Sequence, residues 1–402
     1  MKILIIVENN PFFVSSAASN RLISLILGLK KFDVSIHLII TNGFQNFKEF
    51  NDLGLKGQNE IYSYQYTTFL INNNIWARRL NAFLIKPILN NFFKKNTLSN
   101  ILKYNPDIIW SSMDLSSLNI ILDERLKNGS FKFVIEMSEF LDVHNIQNAQ
   151  FIHRLGGNKR QKLFNELILP HLNGLMLMTL TLYSEFKILS KPKLLHLPMT
   201  VDLDRFKDSC LNLEGFESPY IAFVGVMDNI KDGVNILIQS FNIIQEKYPK
   251  LSLYLIGGWN YDTPSHLELI RSLNLENKVK WLGEFSREKI PAILQNATIL
   301  VLPRPDSKQA QGGFPTKLGE YLASGVPVCV TRVGEIPNYL TDNETVFFAE
   351  PGSVESFADA MNRCLSNPEL AKSVGSAGRS VAELQFNKDI QGKKLFDFFK
   401  TL

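Results

Sequence analysis

The run Gln311-Gly312-Gly313-Phe314-Pro315-Thr316-Lys317-Leu318-Gly319-Glu320-Tyr321-Leu322-Ala323-Ser324-Gly325-Val326-Pro327-Val328 constrains this chain more than any other stretch. It reads as a glycine-rich loop, a short helix opened by Pro315 and stopped at Gly325, and a buried strand running on to Thr331. Proline suits a first helical turn, where its missing N–H would have no partner, and glycine suits the end. The helix start directs free N–H groups and a positive dipole end toward the loop, with the Lys317 ammonium beside them. That is a setting for an anion such as phosphate. Glu320 lies one turn further on, so Thr316, Lys317 and Glu320 share a face. A carboxylate there suits a ribose, whose two hydroxyls both donate to it. The competing reading is ordinary α/β punctuation with Lys317 and Glu320 as a solvated pair, and the pattern alone does not separate the two.

The chain has 402 residues, which suggests two domains of about 200 residues each. Hydrophobic residues make up 45% and charged residues 20%, the balance of a globular protein. Cys210, Cys329 and Cys364 are widely spaced without a CxxC pair, so reduced structural thiols are expected rather than disulfides or a metal site. Met1–Val7 reads as a first buried strand rather than a signal peptide, and no run of roughly 20 apolar residues predicts a membrane span. The net charge of +4 predicts no nucleic-acid partner.

The run Phe314-Pro315-Thr316-Lys317-Leu318-Gly319-Glu320-Tyr321-Leu322-Ala323-Ser324-Gly325 resembles the signature of glycosyltransferase family 4, in the branch with Phe-Pro-Ser/Thr-Lys. The resemblance implies an α/β GT-B fold, two Rossmann-like domains with parallel sheets facing across a cleft. It covers roughly 196–350 well and the N-terminal half thinly. The expected domains are 1–198 on the acceptor side, 199–385 for the nucleotide-sugar, and a final helix, 386–402, crossing back.

In the N-terminal half, strand Lys2–Val7, helix Ser19–Phe32 and strand Val34–Thr41 make a βαβ opening. The loop between the first two, residues 8–18, lacks the glycines that family members carry there. Arg21 either faces the acceptor side or lies on a solvated helix face. Residues 61–106 contain no Asp or Glu, while Arg78, Arg79, Lys86, Lys94, Lys95 and Lys103 interleave with Trp76, Leu80, Phe83, Leu84, Ile88, Phe92 and Phe93. A basic amphipathic helix of this kind suits an anionic membrane interface, with 76–95 as the contact. The other reading packs its apolar side on the sheet. Phe131–Ile135 is a strand that delivers Glu136 and Glu139 at its C-terminal end, where sites on parallel sheets form. Glu139 is placed to take a proton from an acceptor hydroxyl, or else to cap a following helix. His144 lies further along, and His153 is taken as ordinary.

In the C-terminal half, Pro198–Phe206 resembles the family's crossing between domains, and Asp202 and Asp204 are expected to cap a helix turn rather than bind metal. Strand Tyr220–Val224 ends in Gly225, and Lys231 opens a helix running to Phe241. The resemblance places Lys231 on the donor diphosphate, whereas Val226 stands where the family has an arginine. Arg304, at the end of strand Thr298–Leu302, is the candidate replacement, since its planar fork grips phosphate oxygens. The family contacts the nucleobase through the backbone after the preceding strand, here Gly283 to Phe285. Gly312 occupies the place of the family's first glutamate, leaving sugar contacts to backbone amides around Gly312, Gly313 and Phe314 or to Asp306.

The expected function is retaining transfer of a sugar from a nucleotide diphosphate donor to an acceptor hydroxyl. Lys317, Arg304, Lys231 and the helix start at Pro315 and Thr316 would stabilise the leaving diphosphate without a metal or other cofactor. Glu320 would hold the ribose, and Glu139, with Arg21 and Glu136, the acceptor side. The expected partners are a nucleotide-sugar and a saccharide or lipid-linked acceptor. The expected location is cytoplasmic, peripheral on the inner membrane face, in cell-surface polysaccharide or lipid-linked oligosaccharide assembly. A nucleotide-sugar epimerase of the same fold and a non-catalytic binding protein are the alternatives.

Overall fold

The computed structural model describes residues 1–13, 16–68, 70–71, 74–85, 88–111, 115–128, 130–140, 162, 164–189, 191–207 and 215–402. Lys86, His144, His153 and Cys210 lie outside the described residues. Two compact units divide the chain: Met1–Leu197 with Gln391–Leu402, and Pro198–Ile390.

The first unit holds strands β1 (Lys2–Val7), β2 (Ser35–Ile40), β3 (Lys56–Gln58), β4 (Ser63–Tyr66), β5 (Ile108–Ser111), β6 (Lys132–Met137), β7 (Gly174–Leu177) and β8 (Lys193–His196). They form one sheet in the order β3-β4-β2-β1-β5-β6-β7-β8, parallel apart from the antiparallel β3–β4 pair. The unbroken apolar run of β1 follows from burial on both faces. Ile3, Ile5 and Val7 pack with Leu25, Ile26 and Leu29 of the helix Ala17–Leu29, and with Leu395, Phe398 and Phe399 of the helix Lys388–Thr401. Leu4 and Ile6 point the other way, into a core with Leu118, Ile121 and Phe186. A strand's side chains alternate in direction, so a sheet covered on both faces demands apolar residues at every position.

The acid-free stretch departs from the single amphipathic helix expected of it. Its start forms β4, with Tyr64 and Tyr66 buried. A helix at Ile75–Leu80, a π-helical turn at Asn81–Ile85 and a helix at Asn90–Tyr104 follow. Phe93 is buried, whereas Trp76, Phe83 and Ile88 are 74%, 76% and 79% exposed. Among the described residues no helix is long and apolar enough to cross a membrane.

The second unit holds β9 (Tyr220–Val224), β10 (Ser252–Ile256), β11 (Val279–Gly283), β12 (Ile299–Leu302), β13 (Val328–Thr331) and β14 (Phe347–Ala349). All pair in parallel, in the order β11-β10-β9-β12-β13-β14. The chain builds outward from β9 through β10 to β11, then returns to the other side of β9 with β12. The strand order therefore reverses between β9 and β12, and beyond the C-terminal ends of such a pair open α/β sheets bind their ligands. Gly225 and Arg304 stand at those two ends.

The helix after β9 begins at Val234 rather than at Lys231. Its cap, Gly233, has φ +68°, and a Cβ there would lie 2.2 Å from the Pro303 carbonyl oxygen. Lys231 is thus an exposed loop residue three positions ahead of the helix. Asp202 caps the turn Leu203–Phe206 by accepting from the Asp204 N–H, as its position predicts. The Lys388 ammonium bonds both Asp202 and Asp204.

Candidate functional site

The site in the second unit begins with how the helix Thr316–Ser324 is fixed. Pro315 takes its N-cap position, one residue before the first turn, with φ −71° and ψ 110°. Gly325 ends it in the left-handed region at φ +77°, the stop expected of it. Tyr321, fully buried, staples the helix to the end of β9: its hydroxyl accepts from the Val224 N–H at 2.7 Å and donates to the Val224 carbonyl at 3.2 Å. The first turn of the helix is thereby held beside Gly225.

Lys317 reaches over the end of β9. A Cβ on Gly225 would meet the Lys317 ammonium at 2.1 Å, so only glycine leaves room for it. The ammonium lies 4.7 Å above the Phe223 ring and pairs with Asp232 at 2.7 Å. The two side chains are 16% and 2% exposed. Burial pushes the Lys317 pKa down, the Asp232 carboxylate opposes that, and the charges of Lys231 and Arg304 push it down further. The charges of Lys231 and Arg304 thus reach Lys317, whose ammonium is held by the Asp232 carboxylate at the sheet's switch point. Asp232 is a residue that sequence reasoning missed. A Lys-Asp-Gly turn carries no sign that its acid will be buried against a lysine 85 positions away.

Arg304 is 4% exposed; its backbone carbonyl accepts from the Thr331 hydroxyl at 2.5 Å and its guanidinium donates to the Gln309 carbonyl at 3.3 Å. It is a buried cation shared with the short helix Lys308–Gly312, not a solvated strand-end arginine. Gly312 and Gly313 close that helix and are buried. The Phe314 ring is 5% exposed and packs on Tyr339 and Phe386, which leaves its backbone, the part expected to meet a ligand, as its polar contribution.

Glu320 bonds the Arg205 guanidinium, whose other nitrogen donates to the Arg287 carbonyl at 2.7 Å. Arg205 is a second residue missed from sequence, 115 positions from its carboxylate. It orients Glu320 and links it to the segment after β11. There Gly283 has φ +73° and its carbonyl accepts from the Gly257 N–H at 2.9 Å. The Phe285 ring is half-buried against Phe216.

In the first unit, Arg21 is 4% exposed, which removes the solvated-helix reading. It donates to Glu136 at 2.7 Å and to the Leu197 carbonyl at 2.7 Å. Glu139, half-buried, lies two residues beyond the end of β6. Residues 141–161 lie outside the described residues, and with them any helix that Glu139 would cap. Among the described residues no three His, Cys, Asp or Glu side chains gather to hold a metal ion.

Residues 212–381 match the family described as Glycosyl transferases group 1. The D-inositol 3-phosphate glycosyltransferase of Corynebacterium aurimucosum is 28% identical over 40% of this chain and 38% of its own. A GDP-mannose-dependent alpha-(1-6)-phosphatidylinositol monomannoside mannosyltransferase of Mycobacterium tuberculosis is 28% identical over 51% and 55%. The chain therefore spans between 38% and 55% of the length of these curated relatives. Sucrose-phosphate synthase from Thermosynechococcus elongatus superposes over 100% of this chain and 98% of its own, with TM-score 0.77 at 17% identity. Anabaena HepE in complex with UDP-glucose superposes over 100% of both chains, with TM-score 0.72 at 14% identity. The fold is accordingly GT-B, two α/β units of parallel strands, and the matched domain and the relatives support a glycosyltransferase.

Proposed function

We propose that this chain is a retaining glycosyltransferase of family 4, in the Phe-Pro-Ser/Thr-Lys branch, transferring a sugar from a nucleotide diphosphate donor to an acceptor hydroxyl. The observation that carries the reading is the cation group at the β9–β12 switch point. Lys317 is buried against Gly225, with Lys231 and Arg304 acting on it, beside a helix start whose N–H groups favour phosphate. In the proposed reaction the bond between the sugar's anomeric carbon and the diphosphate oxygen breaks. Lys317, Lys231 and Arg304 stabilise the charge left on that oxygen, an electrostatic contribution fixed before the reaction starts. The acceptor oxygen bonds to the anomeric carbon on the face the diphosphate leaves, and its proton passes to Glu139. Glu320, oriented by Arg205, holds the ribose. These cations take the place of a metal.

The test is thermal unfolding of wild type and Glu320→Ala against UDP, GDP, ADP and CMP. A ligand at about 100 times its dissociation constant adds roughly 2.7 kcal/mol. A rise with one diphosphate, reduced in Glu320→Ala, is the expected outcome and names the base. Equal melting temperatures throughout would sink the reading.

The exposed Trp76, Leu80, Phe83, Leu84, Ile88 and Phe92, interleaved with basic residues, support peripheral contact with an anionic membrane and hence a lipid-linked acceptor in surface-glycan assembly. The break into separate turns does not remove this surface. Co-sedimentation with vesicles containing phosphatidylglycerol is expected and should fall in Trp76→Ser/Phe83→Ser; equal recovery with purely zwitterionic vesicles would refute it.

A further inference from the structure

The turn Leu203–Phe206 and its cap bring the charges of Asp202, Asp204 and Arg205 into one short segment. That segment lies against the helix Thr316–Ser324. A Cβ on Gly319 would lie 2.0 Å from the Met199 Cε, so glycine is what lets the two meet one residue before Glu320. Gln295 holds the end of the turn by donating to the Phe206 carbonyl at 3.0 Å, and the Phe206 ring is buried. Arg205 leaves this anchored turn toward Glu320.

Arg205 has other acids closer in sequence. Asp202 and Asp204 stand on the same turn, and Asp202 is buried. The charge of Asp202 reaches the group around Glu320. Burial holds the Arg287 pKa below its usual range, Arg205 pushes the same way, and Glu320 and Asp202 oppose both. A buried carboxylate left without a cation is strongly destabilising. The cation that Asp202 has is Lys388. The Lys388 ammonium, itself buried, bonds Asp202 and Asp204, and Lys207 adds an exposed contact to Asp204 at 2.5 Å. The backbone does not need that ammonium to hold its shape. The Val201 N–H donates to the Phe386 carbonyl at 2.8 Å and the Lys388 N–H to the Val201 carbonyl at 3.0 Å, which ties the two segments without any side chain. What the ammonium adds is charge.

We propose that Lys388 is a positioning residue of the donor site: by occupying both carboxylates of the turn it leaves the Arg205 guanidinium to Glu320, and so fixes the carboxylate that receives the ribose. The inference rests on the ribose role proposed for Glu320 above. Lys388 acts through Asp202, Asp204 and Arg205 rather than on the ligand. Without its charge the buried Asp202 draws Arg205, the other cation of its turn, and Glu320 loses the partner that orients it.

The experiment is calorimetric titration of wild type, Lys388→Gln, Lys388→Met, Lys388→Arg and the double variant Lys388→Gln/Asp202→Asn. The ligands are UDP, GDP and ADP, the 2′-deoxy analogue of whichever wild type binds best, and inorganic pyrophosphate. Wild type is expected to bind that diphosphate about 10-fold more tightly than its 2′-deoxy analogue, the value of a hydrogen bond to a charged acceptor. Lys388→Gln and Lys388→Met should both lose most of this preference while binding pyrophosphate as wild type does. Lys388→Arg, which keeps the charge, and the double variant, which removes the competing acid, should both retain it. A full preference in folded Lys388→Gln or Lys388→Met would overturn the inference, and so would a double variant indifferent to the 2′-hydroxyl. An equal loss for all ligands would overturn it too, since that marks a distorted unit rather than a misplaced carboxylate. A wild type indifferent to the 2′-hydroxyl would overturn the ribose role of Glu320, and the inference with it. Binding of pyrophosphate but no nucleoside diphosphate by wild type would overturn the donor reading itself.

Discussion

Lys317 is the residue on which the proposed chemistry turns, and its environment sets a testable pH dependence. Its pKa is lowered, first by burial and then by Lys231 and Arg304, while Asp232 resists the change. The charged form binds diphosphate, so affinity should be full where the ammonium is protonated and should fall as pH rises through this lowered value. The loss thus begins below the ordinary lysine range near 10.4. In Lys317→Met the affinity should be lower at every pH and the alkaline limb should disappear. Nucleotide titrations across pH 7 to roughly 10 would decide it, and an unchanged limb in the variant would assign the dependence elsewhere. The proposed role of Lys317 as a phosphate ligand rests on local signals in the sequence, the Pro-Thr-Lys start and the Gly325 stop of its helix. Its pairing with Asp232 is not, because that contact joins positions 85 apart whose meeting depends on how β9 and β12 are wound.

At the scale of elements, the strand end and the helix start work as one part. Tyr321 fixes the helix to Val224, and Gly225 leaves space for the lysine that the helix delivers. Gly225→Ala puts a methyl group 2.1 Å from the Lys317 ammonium and 2.9 Å from its Cε. The long side chain can swing away, so the fold should survive with a loss of about 1–3 kcal/mol, the usual cost of overpacking. The ammonium cannot stay on both Asp232 and a ligand, however, so nucleotide affinity should fall well beyond what stability loses. Equal affinity in a folded Gly225→Ala protein would remove Gly225 from the site. Elements with strong periodicity and local punctuation were readable in advance, among them β1, β9 and the helix after Pro315. Lys231 was misplaced because the run Val234–Phe241 is apolar and helical while Gly233, in a left-handed turn, sets where the helix starts. The hairpin β3–β4 is not legible in the sequence because β3 is only three residues long and the tyrosines of β4 lie in a basic stretch without acids.

At the scale of the whole molecule, the chain closes its first unit only with its last residues. Gln391–Leu402 belongs with Met1–Leu197, and Leu395, Phe398 and Phe399 are 0%, 8% and 3% exposed in the core around β1. Gly392 sits so close to Gly28 that a Cβ would lie 2.4 Å from the Gly28 carbonyl carbon, a crossing that larger side chains would prevent. Burial of each large apolar side chain contributes about 1.5–3 kcal/mol, so removing 391–402 costs the first unit roughly 5–9 kcal/mol, comparable to the whole stability of a domain. The second unit ends at Ile390 and keeps its own sheet, together with the Lys388 clamp on Asp202 and Asp204. Deletion of 391–402 should therefore split thermal unfolding into two transitions. The first unit should melt early, while the second should keep a melting temperature that nucleoside diphosphate still raises. Calorimetry with and without the diphosphate that wild type binds would show this. A single transition lowered as a whole would mean instead that the two units unfold together, and that donor binding at the β9–β12 switch point depends on the integrity of the entire chain.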